Sequence, residues 1–334
     1  MAYERIIAHN DFDGVVSTAI VSRATGLDRF LFAGPRVIID SRMPLFPTDI
    51  VCDLPCPLQC AMWFDHHEGN LEDLRLRGVD PSTIPGRFER RDSCARVVYE
   101  YYSPTAALPE FYAATVDEAD VLDAFKFSTV EEWRRETPGK IVDGAIQGQE
   151  GHPRQRDEFL RVLVRLVRDF PLAEVAGRGD ILEHYRRSKQ QEERMLETIG
   201  KEARFLDGDP GKQLIVIDFT PMSKPPRMVK KLAFLLFPEA RAVLEIRNPM
   251  RGSVKSTDLS LSMSLGVGVS AAEGTRNVGE IMRELNIGDG HAGAGAGGVN
   301  CRSKAEMLSE KERLLKEILR LWYLQGGPGK SNSG

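Results

Sequence analysis

Residues 61–69 read AMWFDHHEG. The apolar run AMWF is too short for a buried helix and suits a strand covered on both faces. Asp65, His66 and His67 follow it directly. Three metal-competent side chains at a strand end are either a polar terminus or the edge of a reaction centre, and the flanking segments decide between the two.

Upstream, YERIIAH (3–9), RVIID (36–40) and DIVCD (49–53) are also short, apolar and β-branched, and read as strands. GVVSTAIVSRATG (14–26) reads as a helix closed by a glycine. CARVVYEYY (94–102) and LPEFYAATVDEADVLDAF (108–125) are helical as well. Strands alternating with helices predict an α/β domain with a largely parallel sheet. Its strands end in polar residues. HNDFDG (9–14) carries His9, Asp11 and Asp13 at a spacing of two, which places them on one side of an extended segment. Asp53 ends DIVCD, and Asp65, His66 and His67 end AMWF. Asp117, Asp120 and Asp123 follow at helical spacing.

Taken singly, each aspartate is a helix cap or a solvated residue. Together they place several carboxylates at the carboxyl edge of one sheet, where α/β proteins bind ligands. Such a cluster repels itself unless cations neutralise it. Carboxylates mixed with imidazoles suit manganese, iron, cobalt or magnesium better than a closed thiolate zinc site. The donors suffice for two ions sharing a carboxylate, an arrangement that serves phosphoryl hydrolysis.

Composition narrows the substrate. The 334 residues carry a formal charge of −4, so the chain lacks the basic excess of a binder of long nucleic acid. No apolar stretch approaches the length of a membrane span. Five cysteines form no paired framework, which predicts a reduced, cytoplasmic protein; Cys52, Cys56 and Cys60 read as buried thiols near a strand end.

The remainder divides in two. Residues 154–205 are helical and charged, as in a connector between domains. From KQLIVIDF (212–219) a second, smaller α/β or α+β pattern begins, with strands at ARAVLEIR (240–247) and DLSLSMSL (258–265) and helices at VGEIMREL (278–285) and AEMLSEKERLLKEILRLWYL (305–324). NIGDGHAGAGAGG (286–298) reads as a glycine-rich loop whose N–H groups can approach phosphate, around Gly290, His291 and Gly293. Lys255 is the expected basic partner from this domain, with Arg247 and Arg251 as alternatives. Arg87, Arg90, Arg91 and Arg96 are interrupted by acids and take no role. The closing GGPGKSNSG (326–334) has Leu324 where a phosphate-binding loop needs its first glycine, and reads as a flexible tail.

HNDFDG, the aspartate of VCDLP, FDHH and the acidic VDEADVLDAF occur in the order seen in the DHH phosphoesterases, which the chain resembles. NIGDGHAGAGAGG resembles the glycine–histidine motif of the DHH-associated C-terminal domain, with Asp289 replacing one of its glycines. The short spacing between His9 and the aspartate pair is closer to RecJ-like and nanoRNase-like members. The resemblance implies an N-terminal parallel-sheet domain (1–185), a helical linker (186–210), a substrate-binding domain (211–325) and a tail (326–334). It implies two divalent ions, Mn2+ first, with Mg2+ or Co2+ as alternatives. His9, Asp11 and Asp53 would hold one; Asp13, Asp53, His66 and Asp120 (alternatively Asp117) would hold the other, with Asp53 bridging and Asp123 left in solvent. His67 would face the substrate phosphate and Asp65 would orient the histidines. The expected activity is hydrolysis of short oligonucleotides or small nucleotide phosphoesters by metal-activated water. Cleavage of polyphosphate or pyrophosphate is the alternative, and a nucleotide sensor with a degenerate site is a third reading. No long duplex and no membrane is expected as partner; a homodimer is compatible with all three.

Overall fold

The computed structural model describes residues 3–57, 59–149, 152–226, 228–269 and 276–326. They form two compact units. The first runs to Lys126 and resumes over Arg135–Gln191; the second takes Phe127–Arg134 and the chain from Glu192 onward.

In the first unit the order is β1 (Arg5–His9), α1 (Phe12–Thr25), β2 (Phe30–Ala33), α2 (Pro35–Ile39), β3 (Asp49–Cys52), β4 (Met62–Asp65), α3 (Glu68–Leu76), β5 (Gly86–Phe88), α4 (Cys94–Tyr102) and α5 (Phe111–Asp123). The strands form one parallel sheet in the order β2-β1-β3-β4-β5. Alternation fills both faces: Ile6, Ala8, Ile50, Cys52 and Phe64 join one core, while Ile7, Val51 and Trp63 join the other. Each such large side chain contributes about 1.5–3 kcal/mol by leaving water. The strand order reverses between β1 and β3, so a crevice opens at their carboxyl ends, where such sheets bind ligands.

One expected strand is a helix. RVIID lies largely in α2, and the strand beside β1 is the preceding FLFA, paired Ile6 to Phe30. Gly34 and Pro35 sit at the N-cap and first helical position, where proline's missing N–H costs nothing and its fixed φ starts a helix.

After α6 (Val130–Arg134), which belongs to the second unit, come α7 (Pro138–Gln147), α8 (Pro153–Asp169), α9 (Leu172–Ala176) and α10 (Gly179–Glu202). The boundary between units falls inside α10, after Gln191. The second unit continues with β6 (Ala203–Phe205), β7 (Leu214–Asp218), α11 (Ala233–Leu236), β8 (Ala242–Arg247), a two-strand ribbon β9 (Met250–Arg251) and β10 (Val254–Lys255), β11 (Leu259–Leu265), α12 (Val278–Glu284), β12 (Gly288–His291), β13 (Ala294–Val299) and α13 (Lys304–Gln325). Its mixed sheet has the order β12-β13-β11-β8-β7-β6, with only β7 and β8 parallel. α13 covers one face with Met307, Leu314, Ile318, Leu321 and Trp322, recurring at helical spacing.

The glycine-rich segment is not a loop but the hairpin β12–β13. Its glycines serve packing: a Cβ on Gly279 of α12 would lie 2.2 Å from the Gly290 carbonyl oxygen, so helix and hairpin meet backbone to backbone. Most of the tail (327–334) lies outside the described residues. Among the described residues no helix is long and apolar enough to cross a membrane.

Candidate metal centre

β1 ends at His9, and the chain turns at once into α1. Asp11 caps that helix, accepting from the Gly14 N–H at 3.0 Å. Gly14 is required there, since a Cβ would meet the His9 carbonyl oxygen at 2.1 Å. This tight turn sets His9 Nδ1 2.5 Å from Asp11 Oδ2 and 3.5 Å from Asp53 Oδ2. Asp13, in the first turn of α1, is buried and accepts from the N–H groups of Cys94 and Ala95, each at 2.7 Å. Two free donors at the start of α4 thereby fix the carboxylate.

Asp53 follows β3 with φ of 57°, a left-handed conformation that aspartate tolerates better than most residues. The turn leaves its N–H on the Phe64 carbonyl at 2.9 Å. Both carboxylate oxygens are buried and have no hydrogen-bond partner among the described residues.

At the end of β4 the three residues diverge. His66 donates from Nδ1 to the Arg91 carbonyl at 3.0 Å, which leaves Nε2 as a lone pair. That Nε2 is buried without a hydrogen bond among the described residues, 3.4 Å from Asp123 and 3.8 Å from both Asp13 and Asp53. Asp65 is fully buried; it receives His67 Nδ1 at 2.9 Å and Asn70 Nδ2 at 2.7 Å. Asp65 therefore holds the His67 ring rather than facing the cluster.

Asp120 is placed differently from the expectation. One of its oxygens accepts from Ser93 Oγ at 2.6 Å and the other from Arg96 at 2.8 and 2.6 Å. Asp117 is exposed and pairs with the same arginine at 2.5 Å. Asp123, set aside in the sequence, is the α5 aspartate beside His66. A signal for it existed: the buried face of α5 runs Tyr112, Thr115, Val116, Ala119, and three further turns from Tyr112 end on Asp123. Asn70, Ser93 and Arg96, which orient the cluster, had no motif to mark them. Neither had Asp143 on α7, which burial and then the charges of Asp11 and Asp123 push up to about 7.

The electrostatics describe a site built for cations. Burial, then the charges of Asp13 and Asp11, raise Asp53 well above the carboxylate range; burial, then Asp123 and Asp11, do the same to Asp13. Among the described residues three groups of donors each gather within 4.8 Å: His9, Asp11 and Asp53; Asp53, His66 and His67; Asp13, His66 and Asp123. Asp53 and His66 each belong to two groups. Buried, unpartnered carboxylate oxygens and an unpartnered imidazole nitrogen fit divalent ions of the oxygen- and nitrogen-preferring class.

His67 differs from its neighbour. Burial disfavours its charge, but the hydrogen bond and charge of Asp65 outweigh this and raise it to about 9. In metal-free protein the His67 ring is therefore expected to titrate near 9 by NMR, and Asp65→Asn to lower it markedly, because burial is then opposed only by the remaining carboxylates, Asp123 and Asp13 among them. A ring that titrates alike in both proteins refutes the pairing.

The expected cation of the second unit is spoken for. Lys255 donates to the backbone carbonyls of Thr220 and Met222 at 2.5 and 2.8 Å. Arg247 pairs with Glu245 at 2.6 Å and Arg251 with Asp258 at 2.7 Å. His291 is exposed at the end of β12, its Nδ1 accepting from the Gly293 N–H at 3.1 Å; Gly290 lies within the same strand. Asp289 is paired with Arg283. In the first unit Arg91 pairs with Glu89 and Glu100, whereas Arg96, given no role in the sequence, holds Asp120 and Asp117.

Searches with the sequence find no matching family model and no matching curated protein. Solved structures do match. The pGpG-specific phosphodiesterase PggH from Vibrio cholerae superimposes with a TM-score of 0.72 at 18% identity, covering 97% of this chain and 100% of that one. The DHH domain of a member of a ribosomal protein family gives 0.50 at 14% identity, over 96% and 86% of the two chains. RecJ from Thermus thermophilus in complex with Mn2+ gives 0.51 at 16% identity, over 95% of this chain and 52% of that one. The strand order, the converging strand ends and these superpositions lead to one conclusion: the chain has the fold of the DHH-domain proteins.

Proposed function

We propose that this chain is a divalent-metal-dependent phosphoesterase that hydrolyses short oligonucleotides or small nucleotides in the cytoplasm. The observation that carries the reading is Asp53: buried, unpartnered at both oxygens, and common to two donor groups. His9, Asp11 and Asp53 would hold one ion, and Asp13, Asp53, His66 and Asp123 the other, with Mn2+ the first choice and Mg2+ or Co2+ the alternatives. Bound there, the ions supply Lewis acidity and lower the pKa of water to give a nucleophile near neutral pH.

The chain's own groups do the rest. The Arg91 carbonyl keeps the His66 Nε2 lone pair turned inward. Asp65, itself held by Asn70, orients the His67 ring and favours its charged form, whose Nε2–H can donate to a non-bridging phosphate oxygen. His291, with Gly290 and Gly293, is proposed to contact the nucleotide. A substrate of dinucleotide size is supported by full-length similarity to a pGpG-specific phosphodiesterase and by a net charge that disfavours long nucleic acid.

The test is a substrate panel on chelator-treated protein, with and without added Mn2+. Dinucleotides, a cyclic dinucleotide, bis-p-nitrophenyl phosphate and inorganic polyphosphate are compared. Metal-restored cleavage of the diesters is expected. Orthophosphate release from polyphosphate alone would move the assignment to the inorganic substrate. Saturable nucleotide binding without any cleavage would leave a sensor.

A further inference from the structure

The sheet register of the second unit exposes a cation that no motif announces. β11 pairs with β8 so that Ser260 lies opposite Arg247 and Ser262 opposite Glu245. On its other side Ser260 faces Gly298, Ser262 faces Ala296 and Ser264 faces Ala294. β12 extends the row, with His291 opposite Ala294 and Asp289 opposite Ala296. Directly opposed residues share a sheet face. One face therefore carries serine, alanine and glycine across its middle and His291 at one edge, while Leu259, Leu261 and Met263 point into the core behind it. Ala296 and Gly298 are among the more open positions of this face, and Ser260 and Ser262 are partly exposed. Small side chains make this a shallow shelf on which a ligand can approach the backbone.

Lys230 reaches onto this shelf and donates from Nζ to Ser262 Oγ at 2.8 Å. An ammonium has three donors. Lys230 makes no ion pair among the described residues, because the adjacent Glu245 is taken by Arg247 at 2.6 Å. It is half-buried, and burial lowers its pKa, with Glu245 opposing and Arg247 adding to the fall. A partly desolvated ammonium without a carboxylate is costly unless an anion completes it. The other basic candidates on this unit, Lys255, Arg247 and Arg251, are already bonded within it.

We infer that Lys230 and Ser262 form an anion subsite on the β11–β13 shelf that takes a terminal phosphate of the nucleotide substrate. This deepens the proposed function and rests on it for the identity of the ligand. It makes Lys230 a specificity residue: it distinguishes a 5′-phosphorylated dinucleotide from the same dinucleotide without that phosphate.

The test is equilibrium binding of pGpG and of GpG to the full chain in EDTA, where no turnover occurs. A charge-assisted hydrogen bond is worth ~1.5–3 kcal/mol, so Lys230→Met, which keeps the apolar stem, should weaken pGpG about tenfold or more. GpG affinity should not change, and Lys230→Arg should retain most of the pGpG affinity. Salt gives a reading that needs no variant: wild-type affinity for pGpG should fall more steeply with KCl than affinity for GpG. Equal pGpG affinity in wild type and Lys230→Met, an equal loss on both ligands, or a wild type that binds neither overturns the subsite. Lys230-dependent binding in a protein that cleaves nothing with Mn2+ would leave the subsite standing and remove the hydrolase reading.

Discussion

Asp53→Asn should cost about a thousandfold or more in Mn2+-dependent turnover, since metal coordination at a phosphoryl centre is worth several kcal/mol and each ~1.4 kcal/mol is tenfold. The same change should stabilise the metal-free protein. Asp53 is buried against Asp13, Asp11, Asp65 and Asp123, and its pKa is raised in the folded chain. The unfolded chain releases that proton near the ordinary aspartate value, ~3.9. Between these two values the folded state binds more protons, so the metal-free protein loses stability as pH rises above ~4 and continues to lose it up to the folded-state pKa. Asparagine removes this penalty. A cation removes it as well, by binding only the folded state. Thermal melts should therefore show metal-free Asp53→Asn above metal-free wild type at neutral pH. Added Mn2+ should raise wild type strongly and the variant little. A variant with wild-type turnover and a wild-type Mn2+ shift would sink the shared-ligand assignment, and the melts show this even if no substrate is found.

The second large effect separates two aspartates one turn apart. Asp123→Asn should bind less metal and lose about a hundredfold or more in turnover, because a carboxylate 3.4 Å from His66 Nε2 is removed from a donor group. Asp120→Asn should keep full metal content. Asp120 receives Ser93 and Arg96; Ser93 caps α4; the first N–H groups of α4 hold Asp13. Its loss loosens Asp13 at one remove, and partners of metal ligands usually cost ~10–100-fold when changed. Metal analysis of both purified variants decides the matter. Full metal in Asp123→Asn with depletion in Asp120→Asn would return the assignment to Asp120.

The sequence by itself determined the parallel sheet of the first unit and the polar ends of its strands. β1, β3 and β4 are short apolar runs, and an aspartate or histidine at the end of such a run must emerge at a sheet edge whatever the rest of the chain does. Their convergence was legible for the same reason, since parallel strands put all their carboxyl ends on one side. Local pattern failed where two neighbouring segments competed. FLFA and RVIID are both apolar, and only pairing with β1 on one side and the Gly34–Pro35 helix start on the other separate strand from helix. It failed again in the glycine-rich segment, whose composition suits a loop or a hairpin. The choice falls to α12, whose Gly279 packs so closely on Gly290 that a side chain there has no room. Which α5 aspartate meets His66 was only half legible: the spacing of Tyr112, Val116 and Ala119 lies in the sequence, but packing shows that this face turns inward and sets the rotation of the helix. Tertiary structure decided which cation of the second unit keeps an unfilled charge. Lys230, Lys255, Arg247 and Arg251 are alike in sequence. Only the folded chain shows that the last three are held by carboxylates or paired carbonyls, while Lys230 holds a single serine hydroxyl among the described residues, since such partners depend on neighbours that sequence distance does not reveal.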